Sequence, residues 1–142
     1  MRYPFILYIY SMKLKFITPD GLDKNLKATA HKSGKLGFTM DAAEKLKLTS
    51  EKSVGVAVNE DDPSDTNLYV IINEHVKDDA FKINKAGQYY YVNTKALFDA
   101  LKIDYKNEWI VYDISKETIE GQLIHRFKRR ERDKKNEKIS NV

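Results

Sequence analysis

The segment 126–138 carries the densest group of side chains able to bind an anion. It holds eight of the 25 Lys and Arg residues of the chain and three of the 21 Asp and Glu residues, so the net charge of the segment is +5. The chain as a whole is +4, so the remainder is −1. Cations placed on phosphates release counterions and give salt-dependent affinity for nucleic acid. The candidate phosphate contacts are Arg126, Lys128, Arg129, Arg130 and Arg132. The interspersed acidic residues favour the alternative, a solubilising end.

A second basic group surrounds a predicted turn. Lys32 and Lys35 flank Ser33 and Gly34, and two more lysines, Lys24 and Lys27, lie upstream. We expect Lys32 and Lys35 to contact phosphates. Contacts of this kind position a nucleic acid but carry no information about its sequence.

Three consecutive tyrosines offer a different chemistry. Tyr89, Tyr90 and Tyr91 lie on a predicted strand and must project to both of its faces. An exposed ring near Lys85 or Lys95, with Tyr90 as the candidate, would stack a nucleobase for about 1–3 kcal/mol. This suits a binder of single-stranded nucleic acid with a paired β–α layout, as in the Whirly proteins. The alternative is ordinary strand propensity, with tyrosine covering a sheet edge.

Motifs for catalysis or metal binding are missing from the sequence. The absence of Cys excludes disulfides and thiolate ligands. His31, His75 and His125 are scattered without a second ligand at metal spacing, and the acidic run 60–65 predicts a solvated turn rather than a calcium loop. We therefore expect no enzyme activity, no cofactor, no metal and no small-molecule substrate. Trp109, among apolar neighbours, is expected in the core.

Composition indicates a globular protein. The chain has 142 residues, 42% of them hydrophobic, with a mean hydropathy of −0.59. The apolar run 3–10 is far shorter than the roughly 20 residues that cross a bilayer, so no membrane association is expected. Met12 is an alternative start. A cysteine-free chain fits the reducing cytosol, and a cytoplasmic location is expected.

The strand and helix pattern occurs twice. Residues 32–38 align with 85–91, and after the first helix the offset grows by two residues, which predicts a longer second helix. We therefore expect an α+β fold of two pseudo-repeated β-β-α-β-β units, forming one compact sheet-rich body with two short helices. The predicted divisions are a lead-in over 1–25, units over 26–78 and 79–128, and a disordered basic tail over 129–142.

The stretch Ser33–Val58 resembles the AbrB-like swapped-hairpin domains, in the tandem arrangement of the MraZ type. The positions that match the family outline are Gly34, Lys35, Leu36, Phe38, Leu46, Leu48, Val54 and Val56. Thr39 and Lys47 depart from it, as does Gln88, which replaces the basic residue after the second turn glycine. The resemblance implies a bacterial-type transcriptional regulator that binds DNA. Outside residues 126–138 the chain is nearly neutral, which also fits a protein-interaction or structural module with no nucleic-acid role. A homo-oligomer is a further alternative.

Overall fold

The computed structural model describes residues 12–17 and 25–130. Within these ranges the chain forms eight strands and two short helices. Their order is β1 (Lys27–Ala30), β2 (Lys35–Phe38), α1 (Met40–Lys45), β3 (Ser53–Ala57), β4 (Leu68–Asn73), β5 (Phe81–Ala86), β6 (Tyr89–Asn93), α2 (Lys95–Ala100), β7 (Ile110–Ile119) and β8 (Gln122–Arg129). Neither of these described helices has the length or the apolar run that crossing a membrane requires.

The strands close into one antiparallel barrel. Their order around it is β1-β2-β6-β5-β3-β4-β8-β7, with β7 returning to β1. The expected fold class, α+β with two β-β-α-β-β units, is therefore wrong. Four of the eight pairings join strands from different halves of the chain, namely β1–β7, β2–β6, β3–β5 and β4–β8. The protein is mostly sheet. A closed barrel also conflicts with the α+β, AbrB-like layout that the resemblance implied.

Side chains from alternate positions of the strands fill the barrel interior. Leu36 and Phe38 on β2 are 1% and 3% exposed, and Val92 on β6 is fully buried. Phe127 on β8 lies at the centre, with its ring centroid 6.0 Å from that of Phe38 and 6.5 Å from that of Tyr112. An eight-stranded barrel has an interior just wide enough for side chains to fill. The inward residues on each strand consequently determine which residues lie on the outer surface.

The sequence offers Thr39 or Asp41 as the N-cap of the first helix, and the structure uses Thr39. Thr39 is its N-cap, and the side-chain oxygen of Thr39 accepts a hydrogen bond from the backbone N–H of Ala42 at 3.3 Å. Ala42 and Ala43 form the buried face of α1. The helix thereby covers one end of the barrel.

The second helix differs from its prediction. It begins after Thr94, whose side chain makes no cap hydrogen bond, and it has six residues, as does α1. The expectation of a longer second helix is therefore wrong. The sequence separation from Gly34 to Thr39 is five residues, and that from Gly87 to Thr94 is seven. The two additional residues therefore precede α2, where one extends the turn before β6 and the other makes β6 one residue longer than β2.

Trp109 lies outside the core. It directly precedes β7 and is 76% exposed, whereas the next residue, Ile110, is 1% exposed and faces the interior. The apolar neighbours that predicted a buried tryptophan follow it in β7, and strand alternation directs Trp109 to the opposite side.

Candidate nucleic-acid interface

Aromatic and basic side chains meet on the outer surface of β1, β2 and β6. We call the group His31, Lys35, Tyr89 and Tyr91 the aromatic–lysine face. Its position follows from strand register, because Leu36 pairs with the inward Val92. The odd-numbered residues of both strands, Lys35 on β2 with Tyr89 and Tyr91 on β6, therefore lie outside the barrel. The turn between β1 and β2 adds His31.

The rings of this face contact each other and a lysine. The centroids of Tyr89 and Tyr91 are 6.1 Å apart, with an interplanar angle of 22°. The Lys35 Nζ lies 4.6 Å from the centroid of Tyr91. His31 meets Tyr89 edge to face at 5.9 Å, and its Nε2 is hydrogen-bonded to the Tyr89 hydroxyl. A cation above an exposed ring contributes about 0.5–1 kcal/mol, which fixes Lys35 only loosely.

Gly37 lies beneath this face. It is paired with Tyr91, and a Cβ at position 37 would overlap the Tyr89 hydroxyl and the His31 Nε2. The missing side chain therefore allows Tyr89 to lie across β2 and reach His31. Tyr89 remains 38% exposed, and partial burial raises the pKa of its hydroxyl. The hydroxyl is therefore protonated at neutral pH and can donate a hydrogen bond.

The β1–β2 turn holds His31 and Lys35 side by side. The His31 N–H donates to the Lys35 carbonyl at 2.8 Å, and the Gly34 N–H donates to the His31 carbonyl at 2.8 Å. Gly34 has φ +91°, which favours glycine. The buried Thr94 hydroxyl donates to the Gly34 carbonyl at 2.8 Å and anchors the turn on α2. Lys32 is exposed at the tip of the turn.

Tyr90, the tyrosine predicted to stack a base, lies on a different surface from its two neighbours. It lines an open groove of about 420 Å³ between α1 and the β5–β6 turn, with Lys85 Nζ 5.4 Å from its ring centroid. Sequence reasoning singled out Tyr90 and missed Tyr89, Tyr91 and His31. The signal that separates them is Val92, since an apolar residue directed inward places residues 89 and 91 outside.

The predicted arginines of β8 are paired with carboxylates. Arg126 bonds Glu117 at 2.9 Å and Arg129 bonds Glu108 at 2.8 Å. Arg130 holds both oxygens of Asp113, at 2.6 and 3.2 Å, and the hydrogen bond to Asp113 raises its pKa. These residues lie apart from Lys32 and Lys35, along β8 and the first half of β7. Phosphate contact by any of these three arginines would compete with its carboxylate partner. Lys128 is exposed on β8, and Arg132 lies outside the described residues.

Groups with shifted pKa values are dispersed, which differs from the clustering typical of catalytic sites. The Tyr69 hydroxyl lowers the pKa of Asp65, and the Tyr105 hydroxyl lowers that of Asp99, both within local turn networks. Burial raises the pKa of the core residue Tyr112 to about 12. Burial and the nearby Lys116 lower the pKa of His125. Across residues 12–17 and 25–130, three or more His, Asp or Glu side chains nowhere gather as metal ligands would.

Comparison with known proteins identifies no relative of this chain. No protein-family model matches the sequence, and neither the curated proteins nor the solved structures give a significant match. The functional argument therefore depends on the chemistry of the aromatic–lysine face.

Proposed function

We propose that this protein binds single-stranded nucleic acid in the cytoplasm through the aromatic–lysine face. The observation that carries the proposal is the contact of Lys35 Nζ with the Tyr91 ring, 4.6 Å from its centroid, beside the exposed and nearly parallel ring of Tyr89. Proteins that bind single strands without sequence preference combine these two elements, a stacking platform and a cation for the backbone.

The geometry supports a single strand over a duplex as the ligand. A base can lie on the Tyr89 ring only if it is unstacked from its neighbours, which in a duplex has an energetic cost. The Lys35 ammonium is then close enough to the stacked base to meet its phosphate, with Lys32 at the tip of the same turn. The face contains no Arg, Asn or Gln, whose planar groups make paired hydrogen bonds to base edges, so we expect binding to depend little on sequence. Regulation of transcription is a further step that such a face does not specify.

The protein-interaction alternative receives less support. It required exposed strands that could pair with another chain. In the closed barrel each described strand has two neighbours, and closure removes the edges that invite strand addition. The tips of the β5–β6 and β7–β8 hairpins extend beyond the pairings with their outer neighbours, so the unpaired edge of the described strands is confined to short segments.

Fluorescence anisotropy of labelled oligo(dT) and of a labelled duplex, at several salt concentrations, tests the proposal on the full chain. We expect preferential binding of oligo(dT). Tyr89→Ala should weaken it by roughly 5- to 150-fold, the loss of about 1–3 kcal/mol for one stacked base. Lys35→Gln should weaken binding and reduce its salt dependence.

Lys106→Gln is the matched control for Lys35→Gln. Lys106 also lies over a tyrosine, 5.9 Å from the ring centroid of Tyr105, but on the loop before β7. The Lys106→Gln substitution should leave the affinity for oligo(dT) unchanged. The proposal fails if oligo(dT) does not bind at low salt, or if Lys106→Gln and Lys35→Gln have equal effects.

A further inference from the structure

The single tryptophan of the chain is displayed on the surface next to the aromatic–lysine face. Trp109 is 76% exposed, although tryptophan is among the side chains that are highly buried on average. The register between β1 and β7 pairs Ala30 with Ile110. His31 follows Ala30 and Trp109 precedes Ile110, so continuing this register by one position places the two residues side by side, just beyond the paired ends of β1 and β7. Both Ala30 and Ile110 are buried, which directs His31 and Trp109 outward.

The exposure of Trp109 does not come from an unanchored loop. On one side Ile110 enters the core, and on the other Tyr105 is only 3% exposed and donates a hydrogen bond to Asp99 at 2.8 Å. Glu108, directly before the tryptophan, bonds Arg129 at 2.8 Å, and its N–H donates to the Asp104 carbonyl. The backbone around Trp109 is therefore held from both sides while its ring faces solvent.

We propose that Trp109 is a second stacking position for the nucleic acid that binds the aromatic–lysine face, an inference that depends on the proposed function. The strand order β7-β1-β2-β6 places Trp109, His31, Lys35 and Tyr91 in succession across the barrel. Adjacent strands are about 4.8 Å apart, so the path from β6 to β7 spans roughly 14 Å. The single strand crosses these four strands, with one base on Tyr89, another on Trp109 and the intervening backbone near Lys35.

The path passes close to the last described residues of the chain. The Arg130 N–H donates to the Val111 carbonyl at 2.8 Å, so the end of β8 lies alongside the start of β7, which Trp109 directly precedes. Arg132, Lys134 and Lys135 follow Arg130 in the sequence and lie outside the described residues.

The tryptophan itself reports on this inference. Titration of the unlabelled full chain with oligo(dT) should quench Trp109 fluorescence, with the same midpoint as the anisotropy titration. Free dTMP at equal nucleotide concentration is the control for absorption by the bases. Trp109→Ala should weaken oligo(dT) binding by roughly 5- to 150-fold, and Trp109→Phe by less because it retains a ring. Leu123→Ala, at a side chain 55% exposed on the β7–β8 hairpin, should have no effect.

The outcomes separate this inference from the proposed function. If anisotropy shows binding that depends on Tyr89 while tryptophan fluorescence and the affinity of Trp109→Ala are unchanged, Trp109 is not part of the site, and the proposed function stands. If Leu123→Ala weakens binding as much as Trp109→Ala, the effect is not specific to stacking, and the inference is overturned. If the full chain binds no oligo(dT), both proposals are overturned.

Discussion

At the scale of single residues, Tyr89 can lie across β2 because position 37 has no side chain. A Cβ there would overlap the ends of two side chains, the Tyr89 hydroxyl and the His31 Nε2. Both can rotate away, since neither ring is fixed in the core. Gly37 therefore contributes more to the arrangement of the face than to the stability of the barrel.

Gly37→Ala should accordingly separate binding from stability. We expect it to displace Tyr89 and to weaken oligo(dT) binding nearly as much as Tyr89→Ala, while urea denaturation shows a change in unfolding free energy within about 1 kcal/mol. Gly55→Ala is the matched control, because a Cβ at this strand position finds its nearest neighbour at an ordinary 3.9 Å. Equal affinities of the two variants would show that the Tyr89 position is irrelevant to binding.

Local pattern predicted some of these residues and not others. Lys35 follows a turn glycine, and this was enough to select it. The three tyrosines by themselves do not show which of them lie outside the barrel. The apolar Val92 that follows them does, because an inward Val92 places Tyr89 and Tyr91 on the outer surface. The apolar residues around Trp109 predict a buried side chain. The alternation of side chains along a strand predicts the opposite, because the next residue, Ile110, faces the interior.

At the scale of elements, the face depends on a connection between the β1–β2 turn and α2. The Thr94 hydroxyl, fully buried, donates to the Gly34 carbonyl across 60 residues of sequence. Gly34 itself is in close contact with α2, since a Cβ there would be 2.8 Å from the Cα of Lys95. The turn that carries His31 and Lys35 is therefore positioned by the second half of the chain.

Thr94→Val should destabilise the protein by about 1–3 kcal/mol, because the valine has a similar shape but leaves a buried carbonyl without its hydroxyl donor. Thr94→Ser retains the hydroxyl and should lose less. Urea denaturation of both variants measures the difference. A Thr94→Val variant as stable as Thr94→Ser would mean that the hydrogen bond to Gly34 does not hold the turn.

Strand positions were predictable where strand partners were not. Alternating apolar residues predict strands at residues 36–38, 54–58 and 89–91, which overlap β2, β3 and β6, and Thr39 is one of two predicted N-caps of α1. Each of these signals lies within a few residues. The pairing of β2 with β6 joins residues more than 50 positions apart, and no local pattern specifies it. The two-unit fold was inferred from repetition alone, and the cross-pairing of the halves contradicts it.

At the scale of the whole molecule, the positive charge of residues 126–138 spans the end of the barrel. Three of its eight basic residues lie in β8, and the other five follow β8 together with the three acidic residues. Arg126 and Arg129 belong to β8, which completes the barrel between β4 and β7, and both are paired with carboxylates. Truncation within residues 122–129 would therefore remove a barrel strand together with the charge. The contribution of the basic segment has to be measured by substitution in the full chain.

The variant with glutamine at four basic positions beyond the barrel isolates that contribution. The positions are Arg132, Lys134, Lys135 and Lys138. Each phosphate contact on a single strand contributes about −0.7 to the slope of log affinity against log salt, so the slope should become shallower by up to about 3. Binding should weaken at low salt, because electrostatic contacts supply much of the affinity. The loss caused by Tyr89→Ala should persist in this background, since stacking does not depend on the segment.

A second variant with the same change in net charge provides the control. It replaces four exposed lysines of the described residues with glutamine, one at the end of α1 and three in loops, namely Lys45, Lys77, Lys102 and Lys106. If both variants change the slope equally, the protein binds by overall charge and the basic segment has no particular role. If the first variant abolishes binding at low salt, the folded face does not bind nucleic acid by itself. Retained binding with a shallower slope means that the barrel holds the bases while the segment adds phosphate contacts.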